Sequence, residues 1–437
     1  MASSRTRGAL CAAVLAATLV ALSIPSALVE ARVYSLDECI EAALAGNTTL
    51  ERARESLTGA DASVLSSWSS VLPSVSASLS SSDNLTVVDG SEATDVSGTS
   101  AVGRVTLRQT IFDGSSFANI SGARHSRSAT ALSLEETRRS VVLSVKSAYY
   151  GLLKAEELRD VQEEALELAR EQLRKTQSLY DRGSASKSDL LKAEVQVAQS
   201  ELALISAQKS AETARAGLRL VMGLPATGGV EVVHPEGTAA EQEMLNFDLE
   251  DAVSRRPDVR AYEERYTAAR RSLLSARAGR WPDVDLSASY SRAGGDMGDV
   301  LDTDDLSDNY SRSVELSISV PIFNGLATKA SIDASKSALR DYELALRESR
   351  LNAEYEIETA RLGVVEQKLR VGVAEQSVES AEEDLRLSEE RFRLRAASML
   401  ELIDARVAYS QARVDLVEAR YDYEIAKAEL LNAVGLE

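Results

Sequence analysis

"SVELSISVPIFNGLA" occupies residues 313–327. Val314, Leu316, Ile318 and Val320 alternate with Ser313, Glu315, Ser317 and Ser319, the period-two pattern of a strand with one apolar and one polar face. The run ends in Phe323, Asn324 and Gly325, and no proline occurs after Pro321. The same order stands earlier in "RVTLRQTIFDGSSF", residues 104–117. There Val105, Leu107 and Ile111 oppose Arg104, Thr106, Arg108 and Thr110, and Phe112, Asp113 and Gly114 close the run. The spacing predicts that Phe112 and Gly114, and Phe323 and Gly325, mark two strand-to-helix joints. Asp113-Gly114 and Asn324-Gly325 supply turn residues there.

Two further alternating runs precede these. Val75, Ala77 and Leu79 face away from Ser74, Ser76, Ser78 and Ser80; Val284, Leu286, Ala288 and Tyr290 face away from Asp283, Asp285, Ser287 and Ser289. Each run is near the ~9–11 residues that cross a bilayer as a tilted strand. Soluble hairpins with one wet face are the alternative, but four strands with no other β-structure make a poor core for a chain of 437 residues. The connections 83–100 and 294–312 are polar. The second carries Asp296, Asp299, Asp302, Asp304, Asp305 and Asp308, with no spacing that matches a calcium loop.

The halves of the chain repeat. Pro73 matches Pro282 at an offset of 209, and Phe112 matches Phe323 at 211. "LLKAEVQVAQSEL" (190–202) matches "LIDARVAYSQARV" (402–414), and "VMGL" (221–224) matches "AVGL" (433–436), both at 212. The expected division is a first repeat over 32–224, a linker over 225–247 and a second repeat over 248–437, each reading helix, strand, strand, long helix, shorter helix.

The long helices are predicted over 122–181 and 327–394, about 90 and 100 Å long, and the shorter ones include 248–280 and 400–434. The second long helix carries two apolar seams. One follows Leu339, Tyr342, Leu346, Ala353, Ile357, Ala360, Val364, Val371 and Ala374; the other follows Leu344, Leu351, Tyr355, Leu362, Val365 and Leu369. At ~3.5 residues per turn the seams lie on nearly opposite sides. A helix with a neighbour on each side belongs to a curved wall. The residues in 248–280 and 400–434 together equal the second long helix in number, so two short helices stacked end to end could line one long one.

Residues 1–31 read as a secretory signal peptide. Arg5 and Arg7 precede an apolar run from Ala9 to Ile24, and cleavage is expected after Ala31. Without that segment the chain keeps 47 of its 49 Lys and Arg and 67 of its 68 Asp and Glu, a net charge of −20, which argues against nucleic acid as a partner. One cysteine, Cys39, remains, so no internal disulfide is expected. No segment is apolar enough for a transmembrane helix. His125 and His234 stand alone, without a nucleophile or a ligand cluster, so no enzyme, metal or cofactor is expected. "VMGLPATGG" (221–229) lacks the Lys and Ser or Thr of a phosphate loop and reads as a helix end with a turn.

A sheet edge is intolerable in lipid, and four strands cannot close a barrel. Several copies must then share one. With this, "SRRPDVRAYEERYTAARRSLLSARAGRWPDVDLSASY" (254–290), "VPIFNG" (320–325) and "LELIDARVAYSQARVDLVEARYDYEIAKAELLNAVG" (400–435) resemble the outer membrane efflux proteins, the TolC-like family. The resemblance spans almost the whole mature chain. It implies a mainly α fold with a small β part, in which long coiled-coil-like helices form an α-barrel. Four strands per protomer would complete a twelve-stranded β-barrel in a homotrimer. It further implies an outer-membrane location reaching into the periplasm, contact with outer-membrane lipid, a periplasmic adaptor and an inner-membrane transporter. The function implied is tripartite efflux or type I secretion. A non-conducting tether between membranes is the alternative class, but it needs no paired spanning hairpins.

Two helix-to-helix turns, "LYDRGSASKSDLLKAE" (179–194) and "RFRLRAASMLELIDAR" (391–406), carry the candidate site. Ser186 with Asp189 and Ser398 with Glu401 read as capping boxes. Glu401 and Asp404 share a helix face. The resemblance places Glu401, Asp404 and Asp189 at the periplasmic aperture, where rings of carboxylates would attract cations; a surface acid is the alternative for Asp404. Arg182, Gly183, Arg393 and Arg395 are candidates for tip or adaptor contacts. The family's closed tips use a tyrosine and an arginine on the second turn, where this chain has Phe392 and Ala397.

Overall fold

The computed structural model describes residues 32–84, 98–225, 228–233, 247–302, 309–394 and 396–436. The expected signal peptide, His234, Arg395, Asp304, Asp305 and Asp308 lie outside them. The first half holds β1 (Arg32–Tyr34), α1 (Leu36–Gly46), α2 (Thr48–Trp68), β2 (Ser74–Asn84), β3 (Gly98–Phe112), α3 (Gly114–Asp181), α4 (Lys187–Val221) and β4 (Val230–Val232). The second holds α5 (Leu249–Arg255), α6 (Pro257–Ala278), β5 (Asp283–Gly294), α7 (Met297–Leu301), β6 (Tyr310–Ser319), α8 (Ala327–Arg393) and α9 (Met399–Val434).

The antiparallel sheet runs β2-β3-β5-β6, so the two hairpins join through their inner strands. Cross-strand register keeps the faces apart. Ser76, Thr106, Ser289 and Ser313 align on the polar face, and Val75, Leu107, Ala288 and Val314 on the apolar one. β2 and β6 are the free edges.

The two long helices have 68 and 67 residues. Along its upper part α3 packs between α2 and α6, and along its lower part between α4 and α9; α8 packs against α6 above and α9 below. The protomer is therefore a wall four helices wide at either level, α2-α3-α6-α8 and α4-α3-α9-α8. The first seam of α8 is buried in this wall, with Ala353, Ile357 and Val364 each under 5 % exposed. The second is bare: Leu351, Tyr355, Leu362 and Leu369 are 55–71 % exposed. On the opposite edge α4 exposes Leu191, Val195, Leu202 and Ile205. These four also step by fours, sevens and threes, the spacing of a coiled-coil seam.

The short helices do stack end to end. α9 finishes where α6 begins, and a cluster of Ala252, Val253, Val259, Leu430 and Val434 seals the splice against Ala353 and Ile357 of α8. Buried Arg256 crosses it. Its guanidinium bonds Asp258 at 2.8 and 3.0 Å and Glu356 at 2.6 Å, and reaches the Ala433 carbonyl at 3.5 Å. Arg139 of α3, also buried, donates to the Asn432 carbonyl. Two cations thus meet the C-terminal end of α9, where the helix dipole is negative and carbonyls lack partners.

Four expectations need correction. The helix expected over 248–280 is broken at Arg256, which is extended, because Pro257 restricts the residue before it and opens a new helix. The helix expected from 122 begins at Gly114. Asp113 is its N-cap, accepting from the Ser115 and Ser116 amides at 2.8 and 3.2 Å, so Asp113-Gly114 is a cap rather than a turn. Gly114 has no positive φ; a β-carbon there would fall 2.5 Å from Trp281. The connection 294–312 is not all loop, since α7 lies within it. Finally, β1 and β4 form a parallel pair that sequence pattern missed. Three residues per strand carry no legible alternation.

That small sheet covers the middle of α3. Cys39, Ala43, Val145, Tyr149, Leu152, Leu218, Met222 and Val230 form one buried cluster there, and the Tyr149 hydroxyl donates to the Val233 carbonyl. "VMGL" and "AVGL" end α4 and α9 in the same way. Leu224 N donates to Arg219 O at 2.9 Å and Leu436 N to Leu431 O at 3.1 Å, with Gly223 and Gly435 at φ +74° and +88°. Both are the six-to-one closure that requires a left-handed residue.

Candidate functional site: the paired helix turns

Each long helix reverses into its shorter partner at the end remote from the sheet. The α3–α4 turn closes with Ser184 N to Leu179 O at 2.7 Å and Gly183 N to Tyr180 O at 2.8 Å, and Gly183 takes φ +71°. At the α8–α9 turn Ala396 N donates to Arg391 O at 2.8 Å, the same bond. Both returning helices open with complete capping boxes. Ser186 and Asp189 exchange bonds at α4, and Ser398 and Glu401 do so at α9.

Glu401 has a second partner that sequence spacing did not suggest. Arg391 lies 3.5 Å from its carboxylate, so half of the Glu401–Asp404 pair is already matched by a cation. Asp404 is exposed one turn further along α9 and makes no hydrogen bond or ion pair among the described residues. Asp189 is held by its own cap on the other hairpin. The structure therefore brings Glu401 and Asp404 onto one face, and it does not join Asp189 to them by any direct bond. Arg182 folds back on its own helix, donating to the Ser178 carbonyl at 3.1 Å. Arg393 is exposed and unbonded among the described residues. Phe392 is half-buried, with no polar group to latch the turn.

A little above the turns, Arg406 ties three helices together. It donates to the Leu168 carbonyl of α3 at 3.0 Å and to Glu389 of α8 at 2.7 Å. Two residues beyond Asp404, it fixes the rotation of α9 and hence the direction in which that carboxylate points. Beside it an open groove of about 360 Å³ runs between α4 and α9, floored by Ala165 and Leu168 and edged by Gln162, Gln196 and Gln199. The four-residue spacing from Leu402 to Arg406 was the one available signal, and it looks like any exposed helical position.

At the other end of the wall the two joints differ. Phe112 packs on Phe117 at 6.3 Å between ring centroids. Phe323 is 81 % exposed, and Gly325 and Leu326 both take positive φ, +64° and +69°. The second joint is thus the turn that the sequence suggested. His125 of α3, 2.7 Å from Glu264 of α6, is a bridge between wall helices. Among the described residues no acidic, His or Cys cluster has the geometry of a metal site. Asp296 and Asp299 are spent on capping α7.

Amphipathic strands with free edges, continued into a wall of helices with free edges, define a membrane channel of the barrel-and-tunnel class. The family model described as outer membrane efflux protein matches residues 39–224 and 249–436, and the chain belongs to that family. The probable efflux pump outer membrane protein TtgC of Pseudomonas putida is 26 % identical over 383 residues, covering 85 % of this chain and 76 % of that one. The outer membrane efflux protein BepC of Brucella suis is 23 % identical, covering 78 % and 74 %. Among solved structures, the outer membrane protein VceC of Vibrio cholerae superposes with a TM-score of 0.79 at 20 % identity, covering 92 % of this chain and 96 % of that one; CusC does so at 0.81 and 17 %. The protein is an outer-membrane efflux channel extending into the periplasm, and the tether reading falls away.

Proposed function

We propose that three copies close into one conduit, with twelve strands in the outer membrane and a tube twelve helices around below it. The observation that carries this is the pairing of unmet edges. The sheet ends in β2 and β6, and the wall ends in the bare seams of α8 and α4. Adding copies edge to edge satisfies both at once, and lipid tolerates no open strand edge. The turns then gather at the periplasmic mouth. Asp404 supplies a ring of three unpaired carboxylates, Glu401 stands beside it tempered by Arg391, and Asp189 belongs to the outer hairpins. Such a mouth passes cations and zwitterions more readily than anions. Arg182, Gly183, Arg393 and Arg395 lie on or beside the turn tips, which are the surfaces a periplasmic adaptor would meet before an inner-membrane transporter. The cargo class stays open, because relatives are named for toluene efflux and for toxin and drug export alike. Residues 1–31 act as the export signal in this reading, and the repeats 32–224 and 248–437 each build half of a protomer.

The test is heat-modifiable electrophoresis of the outer-membrane fraction together with planar-bilayer recording. A heat-sensitive band at three times the protomer mass with discrete conductance steps is expected. A monomer without conductance would overturn the proposal.

A further inference from the structure

One end of the apolar sheet face is built unlike the rest. Along β5 and β6 that face reads Val284, Leu286 and Ala288 against Ile318, Leu316 and Val314. At the end remote from the helices it changes to Tyr290 and Arg292 on β5, and Arg312 and Tyr310 on β6. Tyr290 pairs with Arg312, and Arg292 with Tyr310. The two tyrosine rings stack at 6.2 Å and 17°, and the Arg312 guanidinium lies over both, 4.8 Å from the Tyr310 centroid and 5.8 Å from Tyr290.

The neighbouring connection folds onto this same face. Ala101 is fully buried, and a β-carbon at Gly103 would lie 2.7 Å from Val300 of α7. Gly103 and Ala101 share the face of Val105 and Leu107, so α7 rests on the outside of the strands, with Leu301 64 % exposed. Arg292 donates to the Asp302 carbonyl at the end of α7. Tyrosines, a half-bare apolar helix and arginines together make the belt that marks the boundary between hydrocarbon and headgroups.

Arg312 has no carboxylate partner among the described residues. The rings hold its charge in place but do not neutralise it, and the nearby acids are taken up at the start of α7, Asp296 accepting from the Asp299 amide and Asp299 from the Gly295 amide, both at 3.0 Å. A planar, forked donor held at headgroup depth matches a phosphate monoester or diester. We propose that Arg312, seated on Tyr290 and Tyr310, binds the phosphate of a phosphorylated lipid in the outer leaflet, three such sites ringing the barrel. This rests on the trimeric channel reading.

The test uses the full-length trimer in detergent, titrated with bis-phosphorylated lipid A, the same lipid dephosphorylated, and inorganic phosphate, with binding read by native mass spectrometry. Arg312→Gln is expected to weaken the phosphorylated lipid about tenfold, the scale of one charged hydrogen bond. Arg104→Gln on the polar face leaves it unchanged, and Tyr310→Leu gives an intermediate loss. Equal binding of both lipids overturns the proposal, as does an unaltered Arg312→Gln. Inorganic phosphate competing at equal concentration would replace the lipid with a general anion site. Loss of the heat-sensitive trimer band in Arg312→Gln with lipid binding intact would overturn the proposal and make Arg312 an interprotomer residue. A wild-type chain that never trimerises would instead sink the channel reading itself.

Discussion

Single residues carry three different duties here, and each has its own experimental signature. Cys39 is fully buried, and burial, helped by the Glu38 charge, pushes its thiol up to about 11. The thiolate is the reactive species. Alkylation of the folded channel at pH 8 is therefore expected to be at least about a hundredfold slower than after unfolding, as intact-mass labelling would show. Gly223 answers to geometry instead: at φ +74°, a β-carbon would fall 2.1 Å from the Gly46 carbonyl oxygen. Gly223→Ala should cost more than about 2 kcal/mol through strain and displaced backbone, seen as a lowered unfolding midpoint. Asp404 answers to the proposed function. Asp404→Asn should reduce cation-over-anion permeability in bilayer recordings more than Glu401→Gln does, because Glu401 already has Arg391 beside it. Equal effects would mean that the Arg391 pair does not survive in the assembled mouth. The sequence showed both carboxylates on one face but not this inequality. A contact across a helical turn, from position 391 to 401, follows no helical period.

At the scale of elements, the point that decides stability is the splice between α9 and α6. Arg256 is 7 % exposed and serves Asp258, Glu356 and the Ala433 carbonyl together. Arg256→Ala would leave those partly exposed carboxylates and the Ala433 carbonyl without their donor, and a loss of about 1–3 kcal/mol is expected, seen as a lowered unfolding midpoint. The adjoining Glu136 is raised above the ordinary glutamate value, first by burial and then by the Asp258 charge. The sign of its contribution is that of a raised acid. Above pH ~4.3 the folded chain holds this proton more tightly than the unfolded one, so stability falls as pH rises toward the raised value. Glu136→Gln should flatten the stability profile in that window, measured as unfolding midpoints across mildly acidic pH. An unchanged slope would show that Glu136 binds its proton equally in the folded and the unfolded chain. Long elements were legible beforehand, because 3.5-residue seams repeat over many turns and strand alternation is unambiguous. The break at Arg256 was not. A proline can start a helix or merely follow one, and only the carbonyls of α9 arriving opposite Arg256 decide between them. The cap at Asp113 misled for a related reason, since Asp-Gly serves equally as turn and as helix start.

The whole molecule is best understood through what a lone protomer leaves unsatisfied. The element order of the first half recurs in the second, one long helix in each, and the offsets of 209 to 212 residues made that recurrence legible in the sequence. The second seam of α8 was equally visible, as an apolar row calling for a neighbour on that side, but that the protomer leaves it bare was not. What was not legible is which element of the next copy would cover it. That follows only from the order of helices in the wall, which leaves α4 below and α2 above as the opposite edge. Leu362 is 56 % exposed in the protomer and touches no core. Leu362→Glu should therefore leave the helical content of the protomer unchanged by circular dichroism. In the closed tube the same carboxylate would be forced against the upper end of the neighbour's α4, where Leu220 is 77 % exposed, without a partner for its charge. Burying an unpaired charge is among the most costly single changes a protein can suffer, and three copies would incur it three times around the ring. The expected result is loss of the heat-sensitive trimer band, with monomer and aggregate in its place. Leu351→Glu, two turns or more higher on the same seam, should do the same. If both variants still trimerise, the α8 seam faces water in the assembled channel, and the wall must close along some other pair of edges.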